Sequence, residues 1–377
     1  MPPGGANGVA VWMLEALKKQ YHVSVLTFEP TDLKEINRFY GTSLKRSDLN
    51  LYHVNPLLRA IGGLDPDLHT IQPACYLMRV AKFYTHKYDI FISGDREMDF
   101  GRRGIQYVNY PYPTLKEDHW EAIQYLSKHG ALRAILKGVY RPWMLLSGFS
   151  FERMKNNLTI SNSQWGRGVT KHYYGIDTPV LYPPVIGEFR DVSWEQKENG
   201  FICVGRFDPA KKIEQMIETL AEVRKSHPDL HFHIVGTTAG TNPKVWSDYH
   251  KKILELAEAN SSWVTVHHNL SRAELIELQA THRYGIHANE AEHFGMAIAE
   301  MVSAGCVTFV PNDGGQVEIV DDERLIYADK AQAIEKIKRV LANPTEQAEL
   351  HTHMAQQKQK FSCEKFCHDF REIVRNF

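Results

Sequence analysis

The chain of 377 residues is short of most features that mark secreted, membrane-spanning or nucleic-acid-binding proteins. Its five cysteines, Cys75, Cys203, Cys306, Cys363 and Cys367, form no disulfide framework. Cys203 and Cys306 sit inside apolar runs and read as buried small residues, which suits a reducing compartment. There is no run of about 20 apolar residues, so no spanning helix is expected. The opening Met1-Pro2-Pro3-Gly4-Gly5 has no apolar core of the signal-peptide kind. A formal net charge of -1 excludes the broadly basic surface that non-specific nucleic-acid binding needs. Neither a repeat of 20 to 50 residues nor a low-complexity tract is found. His351, His353, Cys363, Cys367 and His368 lack the tight ligand pairs of a zinc finger. Asp65-Pro66-Asp67 lies in a Gly/Pro-rich loop and reads as a turn, so no metal is inferred.

What is present is alternation. Apolar residues make up 43 % of the chain and charged residues 24 %, enough for real cores, and the length suggests two or three domains. In the second half, strand-like runs at Phe201–Gly205, His231–Val235, Trp263–Val266, Tyr284–Ala288, Cys306–Val310 and Leu325–Ala328 alternate with helix-like runs. Ser271 with Glu274 three residues on is a capping box. The first half is looser, with strands at His22–Thr27, Ile90–Ser93, Ile105–Val108 and Leu158–Ser161. Val9, Trp12, Met13, Ala16 and Leu17 share one face of an opening helix. Such alternation predicts an α/β protein with parallel sheets covered on both faces, and ligands beyond the carboxyl ends of the strands. The turn-rich Tyr182–Gly187 is the expected domain boundary. A Gly-Gly turn into a helix ordinarily follows a first strand. Nothing precedes Pro2 that could be one, so a first strand is expected to be missing, leaving the first sheet interrupted; a natural variant that fills the slot differently is the alternative.

Several strand ends carry residues suited to one chemistry. In Asn289–Glu300, Glu292 lies in a loop and Glu300 about one turn inside the following helix. Phe294, Gly295 and Met296 between them put backbone N–H groups at a helix start, which welcomes an anion. Gly205-Arg206-Phe207-Asp208-Pro209-Ala210-Lys211-Lys212 links a strand to a helix. Arg206 and one of the two lysines can reach a single diphosphate as fixed cations; a solvated basic loop is the alternative, and which of Lys211 and Lys212 points inward stays open. Gly4 and Gly5 open a helix where phosphate is attracted, and Gly314 and Gly315 make a tight strand-to-helix turn. Asn109 ends another strand, and His119 lies ten residues on. The polar loop 94–99 holds Asp95 and Glu97, either of which can touch an acceptor, although a solvated loop is the plainer expectation. The stretch 131–146 interleaves apolar and basic residues, and suits either a membrane surface or ordinary helix packing.

Taken together, the Glu292–Glu300 spacing, the Gly205–Lys211 loop, the Gly4-Gly5 turn, Gly314-Gly315 with Glu318, and the Tyr182-Pro183-Pro184 hinge resemble the retaining GT-B glycosyltransferases of family 4. The resemblance implies two Rossmann-like domains facing across a cleft. They would be an acceptor domain over 1–183, a donor domain over 184–360, and a last helix over 361–377 returning to the first. It implies transfer of a hexose from a nucleotide-diphosphate sugar to a hydroxyl of a glycan, lipid-linked or small-molecule acceptor, by front-face attack. Arg206, Lys211 and Glu292 would be catalytic. Gly4, Gly5, Gly205, Phe294, Gly295, Met296, Glu300, Gly314 and Gly315 would bind the donor, and Asn109, Asp95 and His119 would contact sugar or acceptor. Relatives often have histidine where Asn109 stands, and asparagine cannot carry a proton. No cofactor beyond the nucleotide sugar, no nucleic-acid partner and a cytoplasmic location, with or without peripheral membrane contact, are expected. Another GT-B enzyme such as an epimerase, and a sugar-nucleotide-binding protein without activity, remain open. A dinucleotide-dependent dehydrogenase is disfavoured, for want of the fingerprint.

Overall fold

Alternating short apolar runs and amphipathic runs dictate parallel strands joined by helical crossovers. The computed structural model describes residues 5–55, 71–111, 143–237 and 243–377. The chain divides into two units, residues 1–182 with 366–377, and residues 183–365.

The first unit contains α1 (Gly5–Leu17), β1 (Val23–Thr27), α2 (Leu33–Tyr40), β2 (Leu49–His53), α3 (Ile71–Phe83), β3 (Ile92–Ser93), β4 (Ile105–Val108), α4 (Phe151–Lys155), β5 (Leu158–Ser161) and α5 (Gln164–Tyr174). Strands β1 and β2 pair in parallel, as do β3, β4 and β5 in that order. Among the described residues β1 and β3 do not pair, so the strands of this unit lie in two sheets. Val9, Met13, Ala16 and Leu17 of α1 pack with Ile105, Tyr107 and Ile160, and the buried Tyr107 hydroxyl donates to the Leu181 carbonyl at 2.9 Å.

The second unit contains β6 (Glu198–Arg206), α6 (Ile213–Arg224), β7 (His231–Thr237), α7 (Pro243–Ala259), β8 (Val264–His268), α8 (Arg272–Thr281), β9 (His282–Ile286), α9 (Met296–Ser303), β10 (Val307–Pro311), α10 (Gln316–Val320), β11 (Ile326–Tyr327), α11 (Lys330–Leu341) and α12 (Pro344–Gln357). Its strands form one parallel sheet in the order β11-β10-β9-β6-β7-β8. Fully buried Phe201, Phe232, Tyr284 and Phe309 fill its core. The Ser271–Glu274 capping box is formed and starts α8.

The last helix, α13 (Cys363–Arg375), begins in the second unit and ends in the first. Phe366, Cys367, Phe370 and Val374 lie in the same core cluster as α1, β4 and β5. The sequence starts the returning segment at 361, whereas the structure keeps 361–365 with the second unit. The reason is local. Phe361 is buried, its carbonyl accepts from the Val185 N–H at 2.8 Å, and its ring meets Phe294 edge-on at 5.6 Å.

A second correction concerns the loop 94–99, of which only Gly94, Asp95 and Arg96 are partly exposed while residues 97–99 are buried. Glu97 and Asp99 are 2 % and 1 % exposed. The Tyr174 hydroxyl donates to Glu97 at 2.6 Å. Asp99 accepts from Lys82 at 2.9 Å, from Arg153 at 2.8 Å, and from the backbone N–H groups of Gly101 and Ser150. Two cations and two N–H groups offset the desolvation of this carboxylate. They hold its pKa below the ordinary range against burial, which pushes it up.

Because Phe370 is 0 % exposed within the first unit's core, Phe370→Ala should destabilise that unit by about 3–5 kcal/mol. Urea unfolding followed by intrinsic fluorescence checks this; an unchanged transition would show that α13 is not part of that core.

Candidate active site

Strands β6, β9 and β10 are sheet neighbours. The loops at their carboxyl ends, near residues 206–212, 287–295 and 312–316, therefore meet although up to a hundred residues separate them in the chain. Asp208 accepts from the Ala210 N–H at 2.9 Å and caps a single 3-10 turn, Pro209–Lys211. Lys212 then takes the left-handed conformation, φ +50°. This turn sends the two lysines apart. Lys211 reaches Glu292 at 2.6 Å, and Lys212 reaches the more exposed Glu290 at 2.8 Å. Lys211 is thus the lysine that turns toward Glu292. Its aliphatic stem lies 3.7 Å from where a Cβ on Gly205 would be. Arg206 stands half exposed at the end of β6, 3.8 Å from Asp208.

Glu292 is the centre of the group. Its Oε2 accepts from Lys211 Nζ at 2.6 Å, from Asn289 Nδ2 at 2.7 Å and from His287 Nε2 at 3.2 Å. Among the described residues nothing donates to Oε1. Burial pushes the Glu292 carboxyl up, but the His287 hydrogen bond and the Lys211 ammonium outweigh it and hold the group well below the usual carboxylate range. An ionised carboxylate only accepts, so His287 Nε2 carries the proton. Burial in turn lowers the pKa of His287 and favours its neutral form.

The backbone around Glu292 is fixed by the third loop. Gly314 forms a β-bridge with Glu292. It has φ +90°, and a Cβ there would lie 2.5 Å from the Glu292 carbonyl oxygen and 2.6 Å from its nitrogen. Only glycine permits this approach. The Gly315 N–H donates to the Glu292 carbonyl at 2.7 Å, and Gln316 Nε2 donates to the carbonyls of Asn289 and Asp313 at 2.9 and 2.8 Å. The Tyr327 hydroxyl donates to the His287 carbonyl. Gly314 and Gly315, expected as donor contacts, here position Glu292.

Gly295, at φ +109°, turns the chain into α9, with Met296 as its first residue. Phe294 is buried against Phe361 and anchors the loop. Glu300 is paired with Arg272 at 2.8 Å rather than with Arg206 or Lys211. Burial raises its pKa and the Arg272 guanidinium draws it back. Arg272 also donates to the Ile186 carbonyl.

In the first unit, Asn109 and Asp95 come together. Asn109 Nδ2 donates to the Asp95 carbonyl at 3.2 Å, and the Asp95 side chain pairs with Arg96 at 3.0 Å. Gly5 opens α1. Gly4, His119, Asp65, Asp67 and residues 131–142 lie outside the described residues. At the chain end, Cys363 donates to the Val185 carbonyl and His353 Nε2 meets the Val320 carbonyl, so these groups are bonded to backbone.

Sequence reasoning missed His287, Asn289, Gln316 and Arg272. His287 had a usable signal, being a histidine at the polar end of the apolar run Tyr284–Ala288. Asn289 acts on Glu292 only three residues on, and Gln316 and Arg272 reach Asn289 and Glu300 through tertiary contacts that no local pattern encodes.

Residues 187–361 match the family model of the glycosyl transferases group 1. A GDP-Man:Man(3)GlcNAc(2)-PP-Dol alpha-1,2-mannosyltransferase from Dictyostelium discoideum is 22 % identical over 70 % of this chain and 57 % of that protein. A trehalose synthase from Pyrococcus horikoshii is 29 % identical over 37 % of this chain and 35 % of that protein. The chain spans about half the length of the curated mannosyltransferases it matches. Among solved structures, Anabaena Alr3699/HepE in complex with UDP and glucose aligns over 100 % of this chain and 97 % of that one, with a TM-score of 0.64 and 17 % identity. WaaG, a glycosyltransferase involved in lipopolysaccharide biosynthesis, aligns over 99 % and 97 %, with a TM-score of 0.64 and 16 % identity. The fold is GT-B, built from two Rossmann-like parallel-sheet units.

Gly314→Ala should force the loops apart, destabilise the second unit by about 1–3 kcal/mol and loosen Glu292. Calorimetry of the purified variant checks this, and an unaltered melting temperature would contradict the close contact. The ion pair predicts an acid limb as well. A carboxyl held below its unfolded pKa of about 4.3 stabilises fully above that value, and its contribution is lost as pH falls through the folded value. Lys211→Met removes one cause of the depression. The variant should then lose less stability than the parent between neutral pH and about pH 3, as urea titrations across that range would show.

Proposed function

We propose that the chain, whose second unit carries a glycosyl transferases group 1 domain, moves a hexosyl group from a nucleotide-diphosphate sugar to an acceptor hydroxyl with retention of configuration. The observation that carries this reading is the 2.6 Å Lys211–Glu292 pair at the carboxyl ends of neighbouring strands, inside the matched span. The relatives' printed donors, GDP-Man and UDP-glucose, are both nucleotide-diphosphate hexoses and support the donor class. The printed acceptor of the mannosyltransferases, a PP-Dol-linked glycan, supports a glycan or lipid-linked acceptor.

The residues divide the work by charge. As the bond from the anomeric carbon to the diphosphate breaks, negative charge accumulates on the leaving oxygens. Lys211 and Arg206 stabilise that charge as fixed cations. Glu292 stays ionised at neutral pH, so it serves as an acceptor for a hydroxyl of the transferred sugar and as the counter-charge that holds Lys211. It is not the proton donor. The acceptor hydroxyl attacks from the face the diphosphate leaves, and a phosphate oxygen takes its proton. Asn109 has no proton to carry in this scheme, and none is required of it. Gly295 and Met296 at the start of α9 offer N–H groups to phosphate, and Glu300 lies in the first turns of the same helix for the ribose. The reading needs no cofactor beyond the nucleotide sugar.

Arg206→Ala and Lys211→Ala should each lower transfer by about 10²-fold or more, measured with UDP- and GDP-hexoses and a panel of glycan and lipid-linked acceptors. Unchanged transfer in both variants would remove their assigned role. Tight nucleotide-sugar binding in the parent, with no transfer to any acceptor, would instead favour a binding protein.

A further inference from the structure

At the opposite end of the second unit's sheet, the amino-terminal ends of β6, β7 and β9 bring together Glu198, His233 and His282, and the ligand atoms of the three lie within 4.8 Å of one another. The three strands are adjacent, in the order β9-β6-β7. We infer that these residues form a zinc-type metal site, remote from the transfer chemistry, that staples the central strands of the sheet.

His282 is the decisive residue. Its side chain is 0 % exposed. Its Nδ1 lies 2.6 Å from the Leu278 carbonyl, which can only accept, so Nδ1 carries the proton. Nε2 of the neutral ring is then a bare lone pair. It is buried without a hydrogen-bond partner and lies 3.7 Å from Glu198 Oε2. A buried acceptor with no donor is costly, and a cation between it and the carboxylate removes the cost. A ring N–H donated to a backbone carbonyl is also how metal-bound histidines are commonly oriented.

His233 completes the set. Its Nε2 lies 3.4 Å from Glu198 Oε1, while its Nδ1 meets His267 Nε2 at 3.0 Å. His267 thus orients His233 from behind. Zinc–nitrogen bonds of about 2.0–2.1 Å in a tetrahedron separate ligand atoms by roughly 3.3 Å; His233 Nε2 lies 3.4 Å from Glu198 Oε1 and His282 Nε2 lies 3.7 Å from the other oxygen, Oε2, so the carboxylate spans the two rings. Space is available, because Gly200 stands where a Cβ would come within 3.2 Å of Glu198 Oε1 and 3.3 Å of His282 Cδ2. Lys197 directs its ammonium to the carbonyls of Ala280 and Ala304, and Glu198 supplies the anionic ligand. Two imidazoles and a carboxylate match a zinc ligand set with water in the fourth position. Glu198, 41 % exposed, opens that side to solvent.

The test uses the full chain, stripped with a chelator and titrated with ZnCl2 by calorimetry, with Co2+ as a spectroscopic substitute. The expected result is one saturable Zn2+ per chain, a tetrahedral Co2+ spectrum and a raised melting temperature on loading. Glu198→Gln and His233→Gln should each weaken binding by at least about tenfold, and His267→Ala, which leaves all three ligands in place, by about tenfold. Glu198 is partly exposed, so its variant keeps a folded reference should a histidine variant fail to fold. Absence of saturable binding, or Zn2+ affinity unchanged in both Glu198→Gln and His233→Gln, would overturn the site.

Discussion

The Lys211–Glu292 ion pair is the contact around which the carboxyl end of the second sheet is arranged. Two partly buried charges of this kind stabilise only when their remaining polar needs are met. Here Asn289 and His287 supply donors to the same carboxylate oxygen, and Gly314 and Gly315 hold its backbone. The pair gives Lys211 a fixed starting position and keeps Glu292 charged. Preorganised charge of this sort costs no rearrangement when an anion forms nearby. Lys212, by contrast, faces the more exposed Glu290, where solvent screening removes most of the value of its charge.

Much of this was legible in the sequence because it is local. The apolar runs of the second half located its six strands to within a few residues, and the Ser271–Glu274 box was readable from spacing alone, whereas the helices Lys330–Leu341 and Pro344–Gln357 were not placed from the sequence. The carboxyl-end rule put Arg206, Lys211, Glu292 and Gly314 on loops that a parallel sheet can gather. What the sequence withheld is tertiary. The divergence of Lys211 and Lys212 depends on one left-handed residue. The burial of Glu97 and Asp99 depends on Tyr174, Lys82 and Arg153, none of them near in the chain. Glu300 finds Arg272 on a different helix. Glu198, His233 and His282 converge only through strand register, so three scattered residues in three runs carried no warning.

The two units deal with charge in different ways. In the first, Asp99 is sealed at 1 % exposure between two cations, and its bonds tie α3, α4 and the 94–101 loop together. Such a site resists change, since loss of any partner strands a buried charge. In the second, Glu292 keeps about a fifth of its side-chain surface open and one oxygen undonated among the described residues. The first arrangement is built for permanence and the second for exchange.

The position of α13 bears on how the chain is made. Phe366, Phe370 and Val374 complete a core begun by α1, β4 and β5. A ribosome delivers those residues only after every element of residues 183–365 has emerged. The amino-terminal unit therefore waits, partly assembled and with an apolar face uncovered, while the carboxyl-terminal unit has all its strands in hand. Domains generally fold in order of synthesis; here the order of completion is inverted, and the interval in which the first core stands open is set by the translation time of the second.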